Sequence, residues 1–168
     1  HFWDEQDGGF YFTADDAEEL IVRQKEIYDG AIPSGNSVAV LNLLRLSRIT
    51  ADPELEDKAN KILLAFSEDV KSVPSMMVAL DFGIGPSYEI VIVGNPQAKD
   101  TKEMLNSLRK HFIPNKVVLL RPSDQEEPDI IRLAKFTEYQ SSLDGKATAY
   151  VCLDYACKMP TTDTEEML

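Results

Sequence analysis

From Ser37 to Ile49 the chain places apolar side chains at Val38, Val40, Leu41, Leu43, Leu44 and Leu46, around nearly the whole circumference of a helix. A helix that is apolar on all sides has to be covered on more than one of them. Asp52-Pro53-Glu54 follows at once, an N-cap, an N1 proline and a first-turn acid that open a second helix. Its apolar residues Leu55, Ala59, Ile62, Phe66, Val70 and Val73 fall on one stripe, with Glu56, Lys58, Lys61, Glu68 and Lys71 elsewhere. This is the pattern of an inner and an outer helix in concentric layers, and one such pair cannot bury its inner member alone.

The periodicity changes between Gly83 and Ser87, so two regions are expected, residues 1–86 and 87–168. The first opens with two aromatic runs around Asp7-Gly8-Gly9, a hairpin or an extended strap. In the second, Tyr88 to Gly94 reads as a buried strand. Asp100-Thr101-Lys102-Glu103 reads as a capping box opening a helix to about Phe112, and Lys116 to Leu120 as the next strand. Strand, crossover helix and strand make a right-handed unit with parallel strands. Ala147 to Cys152 supplies a third strand, and Thr162-Asp163-Thr164-Glu165 caps a short last helix. The expected class is α+β, a helical hairpin followed by a small α/β unit with a mostly parallel three-stranded sheet.

Charge excludes some partners. With 17 basic and 29 acidic residues among 168, the net charge is −12, and such a surface repels nucleic acid and anionic membranes. No apolar run reaches the roughly 20 residues of a membrane span, and HFWDEQDGG is not a signal peptide, so the chain reads as soluble. Cytoplasm is favoured over secretion, with the compartment otherwise open. The two cysteines, Cys152 and Cys157, have neither C-x-x-C nor zinc-site spacing and read as buried free thiols. His111 has no neighbouring ligands in sequence, so the reading calls for no metal and no cofactor.

The candidate site is YDGAIPSGNSV, Tyr28 to Val38, a loop that runs into a helix N-terminus. Free N–H groups there favour an anion or a polar ligand, but the lysine and spacing of G-x-x-x-x-G-K-S/T are absent. The favoured structural reading has Pro33 setting a turn, Gly35 at an unusual backbone angle, and a Ser or Asn side chain capping the helix. Among the acids Asp4, Glu5, Asp7 and Asp29, a glycosidase-like pair would have to be found. Glu5 and Asp7 read as solvated turn acids; Asp29, ahead of Gly30, stands out. Phe2, Trp3, Phe10, Tyr11 and Phe12 either stack against a sugar or fill a core. Gly94-Asn95-Pro96 lies where doubly wound folds bind ligands, without the G-x-G-x-x-G fingerprint.

The run FWDEQDGGFYFTADDAEELIVRQKEIYDGAIPSGNSVAVLNLLRL, followed by QAKDTKEM, IPNKVVLL and KATAYVCLDYACKMPTTD, resembles the C-terminal part of the spermatogenesis-associated protein 20 family, the YyaL-like thioredoxin-domain proteins. The resemblance runs in order across essentially the whole chain. It implies a longer parent, with an N-terminal thioredoxin-like domain and a six-hairpin, glycosidase-like or epimerase-like (α/α) toroid of which this chain is the tail. The implied partners are the rest of the toroid and the thioredoxin-like domain. Loops such as Asp29 to Ser37 would face the toroid cavity. The family's glycosidase label rests on fold analogy, which does not carry function.

Two expectations follow. In one, the parent binds or acts on carbohydrate, with Asp29 and Asp4 as candidate catalytic acids, Trp3, Ser34, Gly35, Asn36 and Ser37 as candidate ligand contacts, and the isolated chain inactive. In the other, the toroid is a non-catalytic scaffold linked to fertility through its parent, and the PSGNS loop is structural.

Overall fold

The computed structural model describes residues 1–18 and 20–168. Its class is α+β, and it divides into two compact units: residues 1–47 with 52–84, and residues 48–51 with 85–168.

The first unit begins with a strap closed on itself. Trp3 and Phe10 face each other as an antiparallel bridge, and the Asp4 N–H donates to the Gly9 carbonyl at 2.9 Å. Both glycines of the turn are required. Gly8 and Gly9 have φ of 74° and 88°, and a Cβ on Gly8 would come within 2.9 Å of the Lys61 carbonyl oxygen. Three helices follow: α1 (Gly35–Thr50), α2 (Pro53–Ala65) and α3 (Pro74–Ile84). On α1, Val40 and Leu44 are buried while Val38 and Leu46 stay about half exposed. Asp52 caps α2 by accepting the Glu54 N–H at 2.9 Å. The second helix is shorter than its apolar stripe suggests. It stops at Ala65 with Phe66 as C-cap, Val70–Ser72 form a single 3-10 turn, and α3 restarts at Pro74.

The second unit is a four-stranded sheet in the order β2-β1-β3-β4, built from β1 (Tyr88–Gly94), β2 (Lys116–Pro122), β3 (Thr148–Leu153) and β4 (Ala156–Cys157). Helix α4 (Lys99–Lys110) makes the crossover between β1 and β2, which pair in parallel with Tyr88 opposite Lys116. Alternation along β1 sends Ile90 and Ile92 to one face, with Met104 and Leu108 of α4 and Met167 of α6 (Thr164–Met167). Val91 and Val93 go to the other face, with Leu119 and Ala134, beside the short α5 (Ile130–Leu133). Each large side chain fully buried here contributes about 1.5–3 kcal/mol relative to exposure.

The sheet corrects the expectation of three mostly parallel strands: β3 runs antiparallel to β1, with Thr148 opposite Val93, and β4 runs antiparallel to β3. Asp100 also departs from the expected capping box. Its carboxylate sits within the first turn of α4 rather than at the N-cap, which is Ala98, and accepts the Ala147 N–H at 2.8 Å. That bond ties the residue just before β3 to the first turn of α4. Gly94 is explained in the same place. A Cβ there would collide with the Thr101 hydroxyl and meet Ala147 at 3.3 Å, so the glycine serves close packing. The last helix is capped by Asp163, whose side chain accepts the Glu165 and Glu166 N–H groups, rather than by Thr162.

The cysteines are also corrected. Cys152 and Cys157 are joined in a disulfide, directly opposite each other across β3 and β4. The connecting Asp154-Tyr155 pair has φ of 50° and 62°, a tight two-residue hairpin made without glycine. Because the turn has no glycine and its second position is a tyrosine, the C-x4-C spacing conceals a cross-strand pair.

Candidate functional site

The polar side chains of Asp29, Ser34, Asn36 and Ser37 in the Tyr28 to Val38 loop are each hydrogen-bonded within the protein. Ser34 is the N-cap of α1: its Oγ accepts the Ser37 N–H at 3.2 Å, and its hydroxyl donates to Ser37 Oγ at 2.9 Å. Asp29 holds two helix starts at once. Oδ1 accepts the Ser34 N–H at 2.8 Å, and Oδ2 accepts the Ser75 N–H at 2.6 Å, in the first turn of α3. Burial alone would raise the Asp29 pKa. The Ser34 and Ser75 amides, with the Ser75 and Ser37 hydroxyls, outweigh it and hold the carboxyl below its ordinary value.

Asn36, buried at the second position of α1, acts as a piece of backbone for the strap. Its Oδ1 accepts the Phe10 N–H at 2.7 Å, while Nδ2 donates to the Phe10 carbonyl at 3.0 Å and the Glu26 carbonyl at 2.9 Å. Gly35 is exposed, has no positive φ, and a Cβ on it would meet nothing within 4 Å. The expected unusual backbone angle at Gly35 is therefore corrected, since the residue simply begins the helix.

Asp4 is buried in the strap with both oxygens occupied. Oδ1 accepts the Gln6 and Asp7 N–H groups at 3.0 and 3.3 Å; Oδ2 accepts from the Tyr11 hydroxyl at 2.8 Å and Lys25 Nζ at 2.6 Å. The Lys25 ammonium, then the Tyr11 hydroxyl and the Gln6 amide, hold its carboxyl far below the ordinary range, and Asp4 in turn raises the Tyr11 phenol. Arg23 stacks over the Tyr11 ring at 4.1 Å. Trp3 packs edge-on against Phe10, with ring centroids 5.1 Å apart. Hydrogen bonds from Asn36 to Phe10 thus join the loop to the strap that carries Trp3 and Asp4. Neither acid presents a free oxygen to a ligand.

One feature of the loop does open to solvent. A cleft of about 260 Å³ is lined by Phe12, Glu26, Tyr28, Ile32, Ser34 and Gly35. Phe12 and Tyr28 are exposed beside it. Near the strap, His1 Nδ1 contacts Asp15 Oδ1 at 2.7 Å and Asp16 Oδ2 at 3.4 Å, an exposed cluster that sequence spacing did not reveal. His111 Nδ1 lies 2.9 Å from the Ser107 carbonyl oxygen at the end of α4.

The second unit holds a buried acid that sequence reading missed. Glu89, inside β1 and fully buried, accepts from Arg48 Nη1 at 3.3 Å and from the Tyr155 N–H at 3.0 Å. Arg48 also pairs with Asp154 at 2.9 Å and lies over the Tyr155 ring. Burial pushes the Glu89 carboxyl up, against the pull of the Tyr155 amide and Arg48. The cluster fixes the Asp154-Tyr155 turn, whose positive φ angles need such support. A charge at the second position of the otherwise apolar Tyr88 to Gly94 run is its signal in the sequence.

No protein-family profile matches the chain. It is 40% identical over 171 aligned positions to Spermatogenesis-associated protein 20 of Homo sapiens, covering 99% of this chain and 22% of that protein. Spermatogenesis-associated protein 20 of Rattus norvegicus is 39% identical over the same share. An uncharacterized protein of Caenorhabditis elegans is 30% identical, again over 99% of this chain. The chain spans about a fifth of the length of these relatives.

Proposed function

Since this chain is homologous along nearly its whole length to a segment of Spermatogenesis-associated protein 20, we propose that it is a non-catalytic scaffold segment of a longer protein, and that its Asp29 to Ser37 loop is a structural clasp. The observation that carries this reading is the full engagement of Asp29: each carboxylate oxygen accepts a main-chain N–H, from Ser34 and from Ser75. A general acid or nucleophile has to reach a substrate atom at hydrogen-bond distance, and an oxygen already capping a helix is poorly placed to do so. In this reading Asn36 stitches the strap to α1, and the half-exposed Val38 and Leu46 are the side of an inner helix that further hairpins of an (α/α) toroid cover. The toroid would present partners to the thioredoxin-like domain implied by the sequence resemblance.

The test is a thermal-shift screen of the full-length protein against mono- and oligosaccharides, with Asp29→Asn alongside. The scaffold reading expects no sugar-dependent shift in the natural protein and a lowered Tm in the variant without any sugar. A sugar-dependent rise that Asp29→Asn removes would overturn it.

A carbohydrate-binding reading of the same region is favoured by one observation, the open cleft beside exposed Tyr28 and Phe12 with Glu26 at its side. Aromatic faces and a carboxylate suit a sugar's C–H and O–H groups. In that reading Asp29 holds the loop in place rather than touching the sugar. A sugar-dependent shift lost in Tyr28→Ala but kept in Asp29→Asn would favour it.

A further inference from the structure

The second unit treats its two sheet edges differently. On one side the sheet ends in β4, two residues long and locked to β3 by the Cys152–Cys157 disulfide. A short outer strand offers little to an incoming chain. On the other side it ends in β2, seven residues with the apolar run Val117-Val118-Leu119-Leu120 at its centre. No strand among the described residues pairs with the outer side of β2. A long apolar edge with free N–H and C=O groups is a template for a further strand.

Beside that edge lies an open groove of about 420 Å³ between α4 and β2, with Leu105, Leu108, Val118 and Leu120 as its apolar lining and Arg109 and Lys116 as its cations. Val118 is 37% exposed there. Arg109 Nη1 reaches the Asn106 side-chain oxygen at 3.3 Å, and Lys116 Nζ donates to the Ile113 carbonyl at 2.9 Å. Among the described residues, no ion pair with a carboxylate is formed by either, although the chain as a whole carries a net charge of −12. The groove's lining carries two cations and, among the described residues, no carboxylate.

We propose that the outer edge of β2 is a docking site for an extended segment of a partner protein, in which a carboxylate residue and two apolar residues alternate with others. The segment adds to the sheet as a fifth strand. Its carboxylate meets Arg109 and Lys116, and its apolar side chains, on the same face by the two-residue period of a strand, lie over Val118 and Leu120. Main-chain hydrogen bonds supply affinity and the groove supplies sequence preference. The proposal concerns the second unit and does not depend on whether the Asp29 loop is structural or sugar-binding.

The experiment is fluorescence anisotropy with the full-length protein and a labelled peptide in which glutamate, threonine, valine, threonine and isoleucine follow in order. Saturable binding is expected, weakening with salt. Replacing glutamate by lysine in the peptide should reduce affinity at least tenfold, and Arg109→Glu with Lys116→Glu should reverse that preference. Two peptides N-methylated at alternate amides, one set or the other, separate strand pairing from side-chain binding: one of the pair should lose binding and the other keep it. This comparison uses the unaltered protein, so it stands even where a variant fails to fold. No saturable binding, or equal binding of both N-methylated peptides, or indifference to the glutamate-to-lysine change, overturns the proposal.

Discussion

The Asp29 carboxylate accepts the main-chain N–H of Ser75 at 2.6 Å, across 46 residues of sequence, while its other oxygen holds Ser34. One side chain therefore caps the start of α3 from a distance and fixes the residue that caps α1. An amide in its place has a single acceptor oxygen and turns an N–H₂ group toward one of the two N–H donors. Asp29→Asn should lower stability by about 1–3 kcal/mol, the usual cost of leaving such a donor unsatisfied. Chemical denaturation of the natural protein and the variant measures it.

The same residue has a pH signature. Its folded pKa lies below the unfolded one, so at low pH the unfolded state binds the extra proton. The stability that this group contributes is complete above the unfolded pKa and is lost as pH falls through the folded value. Acid titration of Tm should show a shallower decline in Asp29→Asn than in the natural protein. A parallel decline in both would mean that the helix caps contribute nothing through this charge.

Asn36 is matched to its place by having both a donor and an acceptor. Asn36→Ala leaves the Phe10 N–H and the Phe10 and Glu26 carbonyls without their partner, and should cost about 2 kcal/mol or more. Asn36→Asp should cost more than alanine does, because it sets a carboxylate against two carbonyl oxygens. Equal stabilities for the two variants, compared by denaturant midpoint, would show that the strap is held by other contacts.

How much of this was legible depended on whether a signal was local. Asp52-Pro53 marks α2 because cap and helix are adjacent, and the β-branched run from Ile90 to Val93 marks a buried strand. The break between α2 and α3 was not legible, since Phe66, Val70 and Val73 continue the apolar stripe while the chain leaves the helix. Asp29 stands out in sequence by its place ahead of Gly30, but its bond to Ser75 is not legible there because Ser75 lies far along the chain. The run from Asp100 to Glu103 reads locally as a capping box, whereas the N-cap is Ala98 and one Asp100 oxygen accepts the distant Ala147 N–H. The disulfide was hidden by a hairpin whose turn, Asp154-Tyr155, carries none of the usual glycine or asparagine.

Gly35 offers a test of the opposite sign. It starts α1 without a positive φ, and nothing stands within 4 Å of where a Cβ would be. Gly35→Ala removes conformational freedom from the unfolded chain and adds no clash, so it should stabilise by about 0.4–1 kcal/mol. A loss of stability would show that the loop needs glycine's freedom after all, as the sequence by itself suggested.

Glu89 gives the last prediction, and its sign is the reverse of that of Asp29. Burial raises its folded pKa above the ordinary value, in spite of the Tyr155 amide and Arg48. Between the unfolded and the folded pKa the native state binds more protons than the unfolded state, so this group's contribution falls as pH rises through that window and levels off above it. Glu89→Gln keeps an acceptor for the Tyr155 N–H and cannot ionise. In the variant the part of the Tm profile between a glutamate's ordinary pKa and the raised one should lose its downward slope. The ion pair with Arg48 is lost as well, and a buried cation left with less compensation is destabilising. The variant's Tm should therefore lie below that of the natural protein at neutral pH. A variant profile with the same slope as the natural one would place the titration on another group and leave Glu89 charged throughout.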